Sequence, residues 1–269
     1  MTVVTRRPAG PLAGLVTAIT YRAGEQPRAS VEKILPGPET GLWVNLNRDA
    51  FRSFGWSGAA RQVPGAVVSG PAGRATVMEF EEGHAHVAVS FALGAAGGFL
   101  GMPVSELRDG LVPLSSLWGF ARASLRERLL AAASPAAALE VMESVLVSCA
   151  AGPGPDPAVI AAARALASGL PVRDAAERAG LLPRTLHRRF TAQIGLTPKR
   201  FARIQRLKRV TRSLDGRDEA DWAAVAFRYG FADQPHLADE FRSLAGVTPT
   251  EYLRSRVNGP NHVRFDARA

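Results

Sequence analysis

The sequence predicts an α+β chain, with a β-rich N-terminal half and an all-helical C-terminal half. Three observations carry that prediction. Short β-prone runs broken by glycine and proline fill residues 1–112. Ala151-Gly152-Pro153-Gly154-Pro155-Asp156-Pro157 cannot sustain a helix or a central strand and reads as an interdomain linker. An internal repeat with helical periodicity follows it.

Taken in order, residues 31–35, 42–46, 66–69, 75–80 and 86–93 are strand candidates separated by turn residues, which suggests a β-sandwich or barrel. Residues 103–107 read as a short helix. The Ala/Leu-rich segments 113–133 and 135–150 read as two helices, the second opened by Pro135 behind a capping Ser134. The division is therefore residues 1–150, a linker at 151–157, a helical domain at 158–256, and a flexible tail at 257–269.

With 269 residues, 46% hydrophobic and 21% charged, the chain is able to bury more than one core. No apolar run approaches the roughly 18 residues of a membrane span; the longest candidate, residues 87–100, is broken by Gly94, Gly97 and Gly98. No apolar stretch follows Arg6 and Arg7 as a signal peptide requires. The one cysteine, Cys149, excludes an internal disulfide and sits in an apolar helical stretch that suits a buried, inert thiol. The reading is a cytoplasmic protein with no membrane partner.

Charge is unevenly placed. Residues 1–155 hold 13 Lys and Arg against 12 Asp and Glu, while residues 156–269 hold 20 against 12. Such a split suits a polyanion-binding module joined to a neutral one, and equally a well-solvated basic surface.

The repeat favours the first alternative. Ala176-Glu177-Arg178-Ala179-Gly180-Leu181 corresponds to Ala226-Phe227-Arg228-Tyr229-Gly230-Phe231, and Leu186, Phe190, Gly195, Thr197, Pro198 and Phe201 correspond to Leu237, Phe241, Gly246, Thr248, Pro249 and Tyr252. Each copy is a short helix, a glycine turn and a second helix. In the first copy Leu186, Phe190 and Ile194 form an apolar stripe, and Arg184, His187 and Arg188 occupy the opposite face beside Arg189. This is the helix-turn-helix arrangement, whose second helix fits a major groove. A plain helical hairpin with a basic solvated face is the blander alternative. Between the copies, Phe201, Ile204, Leu207, Val210 and Leu214 line one helix face, and Lys199, Arg200, Arg203, Arg206, Lys208, Arg209 and Arg212 occur with no acid until Asp215. So many like charges on one helix repel unless an anion lies nearby, as a phosphate backbone would.

Residues 157–256 resemble the AraC/XylS transcription regulators. The resemblance is closest from Ala226 through Phe231-Ala232-Asp233-Gln234-Pro235-His236-Leu237 to Gly246-Val247-Thr248-Pro249 and Tyr252. It implies seven helices in two helix-turn-helix subdomains joined by a long helix, with double-stranded promoter DNA as partner and RNA polymerase as a further one. By the resemblance, base contacts fall on Arg184, His187 and Arg188 in the first recognition helix, and on Gln234, Pro235, Ala238 and Asp239 in the second. The backbone-contacting candidates are Arg189, Lys199, Arg203, Arg206 and Arg242. Two departures stand out: Leu182 replaces the small polar cap of the first recognition helix, and Asp239 stands where many relatives carry a basic residue. The first helix is therefore expected to carry most base readout, and the second to position the module.

Residues 11–112 resemble, more loosely, the sensor domains of one subgroup of these regulators. That implies a cupin-like β-barrel followed by helices, binding a small-molecule effector, forming a homodimer, or both. Trp43 and Trp56 are the pocket candidates; packing in a strand core is the alternative for Trp43 and for Trp118. A metal-dependent cupin enzyme with an accessory DNA-binding domain is the competing reading, resting on His84 and His86, which alternate onto one strand face. No companion carboxylate follows them, so surface or turn histidines are the plainer reading. The reactive-cysteine motif of the repair methyltransferases that share such a DNA-binding module is absent. No catalytic residue, metal or cofactor is assigned.

Overall fold

The structure, a computed structural model, describes residues 2–24, 29–54, 59–119, 124–257 and 260–265. The strands are β1 (Thr2–Arg6), β2 (Val16–Ala23), β3 (Ser30–Ile34), β4 (Gly41–Asn45), β5 (Ala50–Phe54), β6 (Ala60–Pro64), β7 (Ala66–Ser69), β8 (Thr76–Phe80), β9 (His86–Phe91), β10 (Leu111–Pro113), β11 (Arg256–Val257) and β12 (His262–Arg264). The helices of the first half are α1 (Ala96–Leu100), α2 (Leu114–Trp118), α3 (Leu125–Leu130) and α4 (Pro135–Cys149). Those of the second are α5 (Pro157–Ser168), α6 (Val172–Arg178), α7 (Pro183–Ile194), α8 (Pro198–Ser213), α9 (Trp222–Arg228), α10 (Gln234–Ala245) and α11 (Pro249–Ser255).

Two antiparallel sheets form the β-rich part, ordered β1-β2-β9-β4-β7-β10 and β11-β12-β3-β8-β5-β6. They do not close into a barrel, but a cupin-like sandwich of this kind is the expected α+β class. β9 pairs with β2 on one side and β4 on the other, which is why its sequence is almost unbroken apolar and all but Ser90 are buried. β6 is an edge, and its exposed, polar Arg61 and Gln62 are the usual means of blunting one. Leu139, Met142 and Leu146 of α4 share one core with Ile19, Val87 and Val89, each such side chain contributing about 1.5–3 kcal/mol.

α4 begins as its sequence requires, with Ser134 accepting from the Ala137 N–H at 3.2 Å and Pro135 in the first turn. The single helix expected over 113–133 is not formed. Val112 and Pro113 continue a strand against Val67 and Val68, and α2 ends at Gly119, whose φ of 70° only glycine adopts freely. Among the described residues of this segment, Leu114, Leu125 and Leu129 are buried in the protein's own core.

The helical half has seven helices, α5 to α11, around a second core that includes Phe190, Phe201, Phe241 and Tyr252. Leu35 and Val263 belong to that core too, so the two halves interlock.

At this junction the linker is held by hydrogen bonds: the Gly152 N–H donates to Gly98 O at 3.1 Å, and the Asp156 N–H to Gln193 Oε1 at 3.2 Å. A Cβ on Gly152 would lie 2.6 Å from the Gly98 Cα, so this close approach needs glycine at position 152. Within the tail expected to be flexible, residues 262–264 form a strand: β12 pairs with β3 in the register His262↔Ile34, Val263↔Lys33, Arg264↔Glu32. The Leu35 N–H donates to Asn261 O (2.8 Å) and the Phe265 N–H to Val31 O (2.9 Å). His262 Nδ1 lies 2.7 Å from Oε2 of the buried Glu32. Lys33 Nζ donates to Gly246 O at 2.9 Å, and the Ala75 N–H to Leu244 O at 2.9 Å.

Candidate nucleic-acid interface

α6 and α7 form the first helix-turn-helix. The turn runs through Gly180, at φ 65°. Leu186, Phe190 and Ile194 are buried, which leaves Arg184, His187, Arg188 and Arg189 on the solvent face. Among the described residues Arg184, His187 and Arg188 have no ion-pair partner, whereas Arg189 meets Asp156 at 3.4 Å. Leu182 occupies the N-cap without a side-chain hydrogen bond and is 75% exposed. Pro183, having no N–H, removes one of the donors a cap would otherwise satisfy.

α9 and α10 form the second unit, and it is better capped. Asp221 accepts from the N–H groups of Ala223 (3.0 Å) and Ala224 (3.1 Å), and Asp233 from that of His236 (2.8 Å). Leu237, Phe241 and Leu244 are buried; Gln234, Pro235, Asp239 and Arg242 are exposed, and Ala238 is half-buried. Arg242 and Asp239, one turn apart, pair at 3.1 Å, so this face carries little net charge.

The linking helix α8 differs from its sequence reading. Thr197 caps it, accepting from the Arg200 N–H at 3.2 Å. Five of its seven basic residues are engaged within the chain rather than awaiting an anion. Arg200 donates to Gly73 O, Arg209 to Ala167 O, and Lys208 pairs with Glu39. Arg206 donates to Gly230 O at 3.0 Å and lies over the Phe231 ring at 5.0 Å. Arg203 grips Glu240 of the second recognition helix with two bonds, at 2.8 and 2.7 Å, and reaches Ser243 Oγ at 3.2 Å. Burial pushes the Glu240 carboxyl up, but the hydrogen bonds and charge of Arg203 outweigh it and hold the group below the usual carboxylate range. Lys199 and Arg212 are exposed.

Glu240 was missed by sequence reasoning. The available signal was an acid one residue before Phe241, at the edge of the apolar stripe, facing a helix with an excess of arginine.

In the β-rich half, Trp43 borders a cavity of about 800 Å³ and is 37% exposed, so it lines a space rather than a sealed core. Trp56 lies outside the described residues. Trp118 is a core residue, its Nε1–H donating to Phe99 O at 3.0 Å. His84 and His86 are both buried, not surface residues, with ring centroids 4.9 Å apart. Burial first, then the charges of His84 and Arg22, push His86 down to about 3. Among the described residues no group of three or more potential metal ligands occurs. Cys149 is buried.

Residues 175–255 match the family described as "Helix-turn-helix domain", and residues 4–113 match "Domain of unknown function (DUF6597)". Over 81 residues the chain is 37% identical to the HTH-type transcriptional activator RhaS of Escherichia coli, which covers 30% of this chain and 29% of that one. The RhaS of Escherichia fergusonii is equally similar over the same extent. The chain therefore spans about three tenths of the length of these curated relatives. Among solved structures, an apo ToxT variant from Vibrio cholerae gives a TM-score of 0.47 at 12% identity, covering 88% of this chain and 96% of that one. The DNA-binding domain of AdpA, in complex with a target DNA, gives 0.33 at 30% identity, covering 37% and 91%. Residues 175–255 therefore form a helix-turn-helix domain similar to that of the RhaS activators.

Proposed function

We propose that this protein is a sequence-specific DNA-binding transcription regulator, with residues 158–256 as the DNA-binding domain and residues 1–150 as a sensor. The observation that carries the proposal is the pair of helices α7 and α10, each presenting a polar face over a buried apolar stripe. Arg203 and Glu240 tie α10 to the linking helix that joins the two units. In this reading Arg184, His187 and Arg188 reach base edges in one major groove, while Gln234, Pro235, Ala238 and Asp239 face the adjacent one. Arg189, Lys199 and Arg242 are the phosphate contacts; Arg203 and Arg206 act within the domain by orienting the second unit.

An effector in the cavity beside Trp43 and contact with RNA polymerase belong to the same proposal, as does dimerisation through the N-terminal half. The apolar faces of α3 and α4 pack on their own sheet, which leaves Leu130 and Val147 exposed for a second copy. Sedimentation at micromolar concentration tests pairing; a strict monomer overturns it. A gel-shift titration with genomic fragments tests the main proposal. A subset should bind specifically, with affinity falling steeply as salt rises; equal binding to every fragment would overturn it.

A further inference from the structure

The two reader helices end alike: Gly195 closes α7 and its repeat equivalent Gly246 closes α10. The N-terminal half meets both ends. A Cβ on Gly195 would run into Pro71 and lie 3.1 Å from Val104 O. At α10 the contact is polar: the Lys33 ammonium donates to Gly246 O at 2.9 Å, and the Ala75 N–H to Leu244 O at 2.9 Å. The sheets thus hold the ends that carry the last, otherwise unbonded carbonyls. The opposite ends, where Arg184 and Gln234 lie, stay open to solvent.

Strand alternation puts Lys33 in this position. Lys33 and Leu35 share one face of the strand, and β12 sets Val263 opposite Lys33 on that face. Leu35 and Val263 belong to the helical core, so Lys33 faces it too and is only 9% exposed. Its ammonium lies 5.3 Å from the centre of the Phe265 ring. Glu251, whose charge reaches it, is committed to the Thr248 N–H at 2.6 Å. An apolar side chain would fill this space without burying a charge, so packing alone does not call for an ammonium here.

The grip matters because α10 would otherwise be held mainly in its middle. Arg203 binds Glu240 there, and one grip is a pivot. Lys33 adds a second point at the far end and so sets the direction of the axis. Gln234, at the first position of α10, precedes Glu240 by about 9 Å along that axis, so a tilt of roughly 10° about the pivot moves it by about 1.5 Å. A base-edge hydrogen bond does not survive such a shift.

We propose that Lys33 is a positioning residue for DNA reading: from the sensor sheet it fixes α10 by its C-terminal end, so that the second reader's register at the base edges depends on the sensor half. The DNA consequence rests on the regulator reading; the clamp itself does not.

The full chain is first used to select duplexes from a random library of about 30 base pairs, enough for two grooves one helical turn apart. Competition then measures the affinity lost on scrambling each half of the selected site. The half read by α10 is the one whose penalty falls in Gln234→Ala. Lys33→Met should lower that penalty at least threefold and leave the other within twofold. Lys33→Gln, whose side chain is one bond shorter, serves if the methionine variant does not fold. Equal loss at both halves is what a merely structural role gives, and it overturns the proposal. So does an unchanged α10 penalty in a folded variant, or a Gln234→Ala chain with both penalties intact, since α10 then reads nothing. Amide hydrogen exchange without DNA reads the clamp separately. Peptides spanning 234–246 should exchange at least threefold faster in the variant, with 183–194 unchanged; equal rates overturn the clamp. A wild-type chain that enriches no sequence overturns the regulator reading, and the exchange result then decides the clamp alone.

Discussion

The two helix-turn-helix units share a plan and differ in how their charges are used. In the first, the exposed face of α7 keeps Arg184, His187 and Arg188 without ion-pair partners among the described residues, and the helix starts on an uncapped Leu182. In the second, Asp233 caps α10, Asp239 pairs with Arg242, and Glu240 is bound by Arg203. Local order and free charge are thus separated: the unit with free cations has the weaker start, and the well-anchored unit has nearly none. A unit whose cations stay free is suited to reading an anion-rich partner, and one whose ions are paired is suited to holding the first in place.

The largest effect should come from breaking the anchor. Arg203→Ala leaves the Glu240 carboxylate buried without its cation; since Arg203 is partly exposed, the loss should be about 2–3 kcal/mol, below that of a fully buried pair. Urea denaturation checks it, and a loss under about 0.5 kcal/mol, the size of an ordinary surface change, would break the comparison. The pH dependence has a definite sign. Glu240 is held low in the folded chain, so its contribution is present above the ordinary carboxylate range and is lost as pH falls through the folded value. That acid-side loss should be missing in Arg203→Ala.

Next in size are the free arginines. Arg184→Ala or Arg188→Ala should cost about 1–3 kcal/mol of cognate binding and relax preference at one or two base pairs, with little change in stability. Competition of cognate against scrambled duplex reads this directly. Equal weakening on both duplexes would remove these residues from the base edges.

The caps give a smaller, reciprocal pair. Asp233→Ala should destabilise by about 1 kcal/mol, and Leu182→Ser should stabilise by several tenths, because a serine there supplies the missing acceptor. Thermal melts without DNA separate these from binding effects; a destabilising Leu182→Ser would mean that the exposed leucine has a packing role. Smallest is Asp239→Asn. It frees Arg242 from a surface pair contributing about 0.2–1 kcal/mol, so stability should barely move while nonspecific DNA affinity rises slightly.

The repeat made the helical half legible from the order of its amino acids. Helix periodicity is local, so Leu186, Phe190 and Ile194 announced their own burial. Five strands, at residues 30–34, 41–45, 66–69, 76–80 and 86–91, were legible as β-prone runs between turn residues, whereas the polar edge 60–64 carried no such signature. Charge was the least legible property. The basic residues of α8 look free because their partners, Glu240, Glu39 and three backbone carbonyls, lie between 24 and 169 residues away. The cavity left no sequence signal beyond Trp43, since an unfilled space arises from how two sheets diverge and not from any residue pattern.

The pairing of β12 with β3 also has a consequence for how the chain is made. Ile34 emerges 228 residues before His262. At ordinary rates of synthesis that is a wait of roughly 10–45 s. Through that interval β3 has β8 on one side and an open row of amides and carbonyls on the other, the arrangement that recruits strands from neighbouring nascent chains. Glu32 and Lys33 put alternating charge on that strand, which discourages a foreign apolar strand from settling there. A version of the protein ending at Val257 would never close the row, and its failure should appear first as aggregation on ribosome release, before any loss of DNA recognition.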